Sequence, residues 1–330
     1  MSQKLKLLLF VETVAILVLV GLLAANKDGV PAPKSGLLSP LIYANADPSV
    51  PKGFAIQDMF PLQLRLAKFI SDNNFNVSIY LMNLKTGASM YVNEEGFYAA
   101  SLNKIPVAIL VMEHVESGKL AMDSKLKILD SDRDQSSGLS SKELTVRELL
   151  EAMLKESDNT AFNVLFRQID TQDMTLLLDY YNIDYNSNYQ FTPYSAGFKN
   201  QSEFMTPRVV SNVFSSLYFS TVLHPEDSEY ILSLLTESDF NVTKIAALPD
   251  NVKIAHKYGI YYGTDAKLFH DCGIIYMAST RFFYCVMTSG MELTKAETVS
   301  ILIVKETYSY IVQTRAKFDA YKEHFSKDDI

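Results

Sequence analysis

A serine three residues ahead of a lysine, within Tyr98-Ala99-Ala100-Ser101-Leu102-Asn103-Lys104, is the pair in this chain best suited to nucleophilic chemistry. On a helical turn residues i and i+3 share a face, so the Lys104 amine can meet the Ser101 hydroxyl and take its proton. A serine at a helix start also lies near backbone N–H groups without intrahelical partners, which suit an oxyanion. The transfer needs a neutral Lys104 near pH 7, and hence burial or a neighbouring cation. Two more fragments offer partners: Ser157-Asp158-Asn159 ahead of an apolar run, and His256-Lys257-Tyr258-Gly259 in a strand-like stretch. Each also has an ordinary reading, since Ser-Asp-Asn is good helix-capping chemistry and His256 reads as a strand residue beside Lys257. A second serine and lysine at this spacing, Ser124 and Lys127, lie in the alternating stretch SKLKI, where a strand would turn their side chains to opposite faces.

Other chemistries find less support. The histidines, at 114, 224, 256, 270 and 324, show no metal-ligand spacing, so neither a metal nor a cofactor is expected. A net charge of −8, with Lys and Arg dispersed along the chain, leaves no basic stripe for nucleic acid. Cys272 and Cys285 flank the polar break Ala278-Ser279-Thr280-Arg281 between two apolar runs, and a hairpin centred there would set them opposite each other. A cross-strand disulfide and two buried thiols are both compatible with that placement.

The elements that must position these residues follow from periodicity. Lys4 and Lys6 precede a 19-residue apolar stretch, residues 7–25 (LLLFVETVAILVLVGLLAA), long enough as a helix to span ~28 Å. It reads as a single-pass transmembrane anchor with its lysine end in the cytoplasm. Leu23-Ala24-Ala25 leaves open a cleaved signal segment and a secreted product, and in both cases the folded part is extracytoplasmic. Residues 26–52, with five prolines and two glycines, read as a linker, and residues 53–330 as the folded domain. Within it the patterns predict a helix over 56–71, and a hairpin over 77–83 and 89–92 with Lys85-Thr86-Gly87 as its turn. A helical lobe over about 101–245 comes next, then strands over 253–260, 273–278 and 282–288, and a final helix over 294–324. This order predicts an α+β fold: an antiparallel sheet completed by both ends of the chain, flanked by helices, with an inserted helical lobe and a cleft at the junction.

Taken together and in this order, the SxxK, Ser-Asp-Asn and Lys-Tyr-Gly fragments resemble the motif set of the class A β-lactamase and penicillin-binding protein superfamily. Flanking text such as Glu116-Ser117-Gly118-Lys119-Leu120, Met205-Thr206-Pro207-Arg208 and Asp271-Cys272-Gly273-Ile274 carries the resemblance across most of residues 75–290. It implies a β-lactamase/transpeptidase-like serine hydrolase of bacterial origin, forming an acyl-enzyme at Ser101 with β-lactams or peptidoglycan stem peptides. By the same resemblance Lys104 is the base, Ser157 relays a proton to the leaving nitrogen and Asn159 holds the substrate amide. Lys257 attracts a substrate carboxylate and depresses Lys104, Tyr258 and Gly259 complete the strand motif, and the N–H groups of Ser101 and Ile260 form the oxyanion hole. Lys85-Thr86-Gly87 also matches the strand motif, but it precedes the nucleophile, whereas the family places that motif last.

Two departures qualify the resemblance. Tyr258 stands where the family has Thr or Ser, and its ring-borne hydroxyl cannot make the same hydrogen bond. Counting from Asn159 and Thr206, the family's deacylating loop glutamate falls on residues 190–193, which hold no carboxylate; Gln190 is no general base, and Asp184 and Glu203 are the neighbouring acids. Slow deacylation is therefore expected. A penicillin-binding D-alanyl peptidase or transpeptidase, and a catalytically silent cell-wall binding module, are the alternative readings.

Overall fold

The computed structural model describes residues 58–183, 204–263, 266–277 and 280–326. The apolar stretch 7–25, the linker 26–52 and the loop positions 184, 190–193 and 203 lie outside the described residues.

The fold begins with α1 (Phe60–Asp72), which buries Leu62, Leu66 and Ile70 at helical spacing. β1 (Asn76–Asn83) and β2 (Ser89–Val92) form the expected hairpin, its turn relaxed by Gly87 at φ 72°. After β3 (Phe97–Tyr98) a 3₁₀ turn, Ala100–Asn103, runs directly into α2 (Lys104–Glu116). β4 (Lys125–Lys127) pairs with β5 (Glu143–Thr145), which confirms a strand setting for the SKLKI stretch. There follow α3 (Val146–Lys155), α4 (Asn159–Phe166), α5 (Thr171–Tyr180), β6 (Phe204–Met205), α6 (Pro207–Phe219), α7 (Pro225–Leu235) and the short α8 (Val242–Ile245). β7 (Lys253–Tyr262), β8 (Lys267–Met277), β9 (Thr280–Ser289) and α9 (Leu293–Ser326) close the chain.

The main sheet is antiparallel in the order β2-β1-β9-β8-β7, so strands from both ends of the chain complete it as expected. β8 and β9 are central and buried on both faces, which explains their nearly continuous apolar runs. One face packs on α1 and α9 through Leu66, Ile79, Tyr284, Val299 and Ile303. The other packs on the helical lobe through Ile105, Met153, Phe214, Phe283 and Met287. α2 is buried all round, from Ile105 to Met112, and so forms a rigid rod through that lobe. Full burial of each such aliphatic side chain contributes roughly 1.5–3 kcal/mol.

Three boundaries differ from the sequence expectation. β8 starts at Lys267 rather than at 273, because His270 and Asp271 are buried polar residues whose partners lie elsewhere in the chain. The helical block is interrupted by β4, β5 and β6. Ser101 precedes α2 in a 3₁₀ turn rather than occupying its first α-turn. Cys272 and Cys285 face each other across β8 and β9 and are disulfide-bonded, which settles the open choice in favour of the bridge. Among the described residues no helix is long and apolar enough to cross a membrane.

Candidate active site

The 3₁₀ turn carries Ser101 to the junction of β7 and the helical lobe. In a 3₁₀ helix residues i and i+3 eclipse, so Ser101 and Lys104 stand one above the other. Lys104 Nζ lies 3.0 Å from Ser101 Oγ. Ala100, just before the nucleophile, holds φ +48°, a left-handed conformation that costs a residue with a Cβ about 1–3 kcal/mol. β7 presses on this turn at Gly259, where a Cβ would come within 3.0 Å of Ser101 N and 3.2 Å of Ala100 Cβ. Glycine is required there by close approach rather than by backbone angle.

Lys104 is completely buried, and its amine gathers the second fragment: Ser157 O at 2.5 Å, Ser157 Oγ at 3.1 Å and Asn159 Oδ1 at 2.7 Å. Burial first, and the charge of Lys257 second, hold the Lys104 pKa well below the ordinary lysine value, against opposing pulls from Asp158 and Asp134. The two carbonyl oxygens can only accept, so each takes an N–H from Lys104. When neutral, the same amine can turn its lone pair to a hydroxyl, and Ser101 Oγ and Ser157 Oγ both lie within hydrogen-bond reach. Such an arrangement can exchange a proton with either serine.

Ser157 can face Lys104 because it does not cap a helix. Asp158 is the N-cap of α4, accepting from Ala161 N at 2.8 Å and from Ser137 Oγ at 2.6 Å. Capping therefore belongs to the middle residue alone, while Ser157, held at φ +57°, and Asn159 turn inward to Lys104.

The third fragment lies on β7, the edge strand. Lys257 is fully buried; its Nζ donates to Tyr258 O at 3.1 Å and lies 4.4 Å from the centre of the Tyr258 ring. Burial lowers its pKa to about 7, with Asp271 and Asp239 opposing. The half-buried Tyr258 ring leans on Phe240, centroids 5.6 Å apart. Ile260 is exposed one residue beyond Gly259. The expected residues of all three fragments thus meet at one place.

Other members were not legible beforehand. Asp134 Oδ1 accepts the Ser136 backbone N–H at 2.9 Å and the Ser136 hydroxyl, and stands 3.5 Å from Asn159 Nδ2. Ser136 Oγ lies 3.3 Å from the same nitrogen. Donation by Nδ2 on that side is what turns Oδ1 toward Lys104. Behind β7, His256 Nδ1 meets Asp271 Oδ1 at 2.6 Å, and Tyr284 donates its hydroxyl to Asp271 Oδ2 at 2.8 Å, all three buried. His256 is therefore committed to Asp271. At the other end of α2, Glu116, His224 and Asp227 each bring one ligand-type atom within 4.8 Å of the others. Glu116 Oε1 also accepts the His224 N–H at the start of α7, which gives that carboxylate a structural task remote from Ser101.

A sheet of this topology, with a Ser-Lys-Ser-Asn constellation at its edge in which Ser101 and Lys104 are buried and Ser157 and Asn159 half-buried, defines a β-lactamase/transpeptidase-like fold, and comparison with known proteins agrees. The model of the Beta-lactamase enzyme family matches residues 61–311, and the chain belongs to that family of β-lactamase-like serine hydrolases, which act on amide bonds. The β-lactamase VEB-1 of Pseudomonas aeruginosa is 22% identical over 272 residues, covering 76% of this chain and 90% of that protein. Among solved structures, the extended-spectrum β-lactamase TLA-3 superposes with a TM-score of 0.69 at 20% identity, covering 77% of this chain and all of that one. A variant of PBP-A, solved as an acyl-enzyme complex with penicillin G, gives 0.67 at 20% identity over 79% of this chain and 100% of that one. A β-lactamase from Chitinophaga pinensis gives 0.67 at 19% identity over 76% and 99% of the two chains.

Proposed function

We propose that Ser101 attacks the carbonyl of a β-lactam or cell-wall peptide amide and forms an acyl-enzyme that is slow to hydrolyse. The observation that carries this reading is the buried Lys104 amine, hydrogen-bonded to two obligate acceptors and able to turn its lone pair to Ser101 Oγ at 3.0 Å. Lys104 takes the hydroxyl proton as Oγ bonds to the carbonyl carbon. The backbone N–H groups of Ser101 and Ile260 receive the developing oxyanion. Ser157 passes the proton from Lys104 to the leaving nitrogen, and Asn159 holds the amide on the acyl side. Burial, with Lys257 assisting, keeps Lys104 neutral, and Lys257 supplies positive potential for a substrate carboxylate, with Tyr258 and Gly259 shaping that edge.

The slow second step rests on the sequence, since residues 190–193 offer no carboxylate to activate water. In the same reading residues 7–25 tether the domain to a membrane, with the site on the extracytoplasmic side. The deciding experiment is intact-protein mass spectrometry of the domain mixed with a penicillin, sampled from seconds to hours beside Ser101→Ala. A persistent adduct absent from Ser101→Ala is the expected result. Fast release of hydrolysed penicillin would overturn the slow second step, and an adduct that survives Ser101→Ala would overturn the role of the serine.

A further inference from the structure

Asp134 sits in the site with no ion-pair partner in contact among the described residues; Lys104 acts on it only at longer range. Its Oδ1 is taken up by Ser136 and Asn159, whereas its Oδ2 accepts no hydrogen bond among the described residues. The described cations of the neighbouring segments hydrogen-bond to other groups. Arg133 donates to Leu139 O at 2.8 Å and Ser141 O at 2.7 Å. Arg167 pairs with Asp132 and donates to Lys127 O. Lys104 is turned to Ser157 and Asn159. Partial burial pushes the Asp134 pKa up, but hydrogen bonds from Ser136 and Asn159, with the nearby Lys104, outweigh it and keep the carboxyl below the ordinary aspartate range, so the group is anionic at neutral pH. A half-buried carboxylate whose second oxygen accepts no hydrogen bond, and which contacts no cation, among the described residues can take a cation supplied by a ligand.

The placement says which part of a ligand. Asn159 lies between Lys104 on one side and Asp134 on the other. An acyl donor whose amide is held by Asn159 and whose carbonyl carbon is at Ser101 extends its acyl substituent past Asn159 toward Asp134. We propose that Asp134 is a specificity determinant that favours acyl donors bearing an ammonium group on the acyl side, as an amino-acylated stem peptide does. This rests on the acyl-enzyme reading of Ser101 and adds the substrate class to it.

Three penicillins with one nucleus and different charges on the acyl substituent separate the two claims: ampicillin (ammonium), penicillin G (neutral) and carbenicillin (carboxylate). Second-order rate constants for the Ser101 adduct are measured by mass spectrometry at about pH 6.5, where an α-amino group is protonated. The expected order is ampicillin, then penicillin G, then carbenicillin, with about tenfold or more between the extremes, the size of one charge-assisted hydrogen bond. Asp134→Asn keeps an acceptor for Ser136 and is expected to compress the spread to about threefold or less. In the unmodified protein, raising salt from about 0.05 M to about 1 M is expected to narrow it as well, a readout that needs no variant to fold. Equal rates for the three penicillins, or an order that survives Asp134→Asn, would overturn the Asp134 assignment while leaving the Ser101 reading intact. Adducts with none of the three would overturn both.

Discussion

Gly259→Ala tests the claim that β7 presses directly on the nucleophile's turn. The added Cβ would meet Ser101 N at 3.0 Å, Ala100 Cβ at 3.2 Å and Ala99 O at 3.3 Å, all inside the carbon contact optimum of about 3.5–4.0 Å. None of these atoms is the free end of a side chain, so relief requires the turn and the strand to part by roughly half an ångström. A misplacement of ~1 Å costs about 10²-fold in rate, so half of that, scaled in the exponent, gives about a tenfold loss, or ~1.4 kcal/mol in the barrier. Overpacking is expected to remove ~1–3 kcal/mol of stability as well. Acylation is followed by mass spectrometry with a penicillin and stability by urea denaturation. Gly87→Ala is the control, because its Cβ would meet nothing within 4 Å and its cost arises from φ +72° in a hairpin turn away from the site. That variant is expected to lose ~1 kcal/mol of stability with acylation unchanged. A folded Gly259→Ala protein acylating within about twofold of the parent would refute the contact argument.

Three further outcomes are expected. Because burial lowers the Lys257 pKa to about 7 from an unfolded value of 10.5, the unfolded chain binds more protons between those limits, so stability should rise with pH through that window and be lost as pH falls toward 7. Urea midpoints from about pH 7 to about pH 9, below the tyrosine range, should show the rise, and Lys257→Met should reduce its slope but not abolish it, because the lowered pKa of Lys104 contributes in the same direction. Tyr284→Phe removes the hydroxyl that donates to Asp271 Oδ2 at 2.8 Å in a fully buried setting, with an expected loss of ~1.5–3 kcal/mol; a change below ~0.5 kcal/mol in denaturation would contradict that role. Reduction of the Cys272–Cys285 bridge, 13 residues apart, should lower stability by ~2–3 kcal/mol, and Cys285→Ser should reproduce the loss and make the protein insensitive to dithiothreitol.

Much of the fold was legible because its elements follow simple periods. The β1–β2 hairpin, the β9 apolar run and the stripe of α1 each repeat at the spacing their geometry demands. The first half of β8 was hidden, since Phe269-His270-Asp271 breaks the apolar run and is made tolerable by His256, Tyr284, the Thr288 N–H and Tyr98 O from other segments. The site divides in the same way. Ser101, Lys104, Ser157, Asn159 and Lys257 were recognisable as motifs, and the fold brings them together. Asp134 and Ser136 carry no motif, lie in a loop and acquire meaning only when Asn159 Nδ2 arrives beside them. The partition of Ser157-Asp158-Asn159 into one cap and two site residues was equally invisible, because all three types cap helices well.

The left-handed backbone at Ala100 and Ser157 bears on how this protein can change. Neither residue is glycine, and both adjoin the groups that surround Lys104. A glycine at either position would relax its angle, and a selection for heat resistance alone would be drawn to these two codons early. The Ser157 replacement would surrender a hydroxyl partner of Lys104, and the Ala100 replacement would loosen the peptide that fixes Ser101. Thermal robustness and reactivity are thus opposed at these two positions, and variants improved in one property should be screened for the other there first.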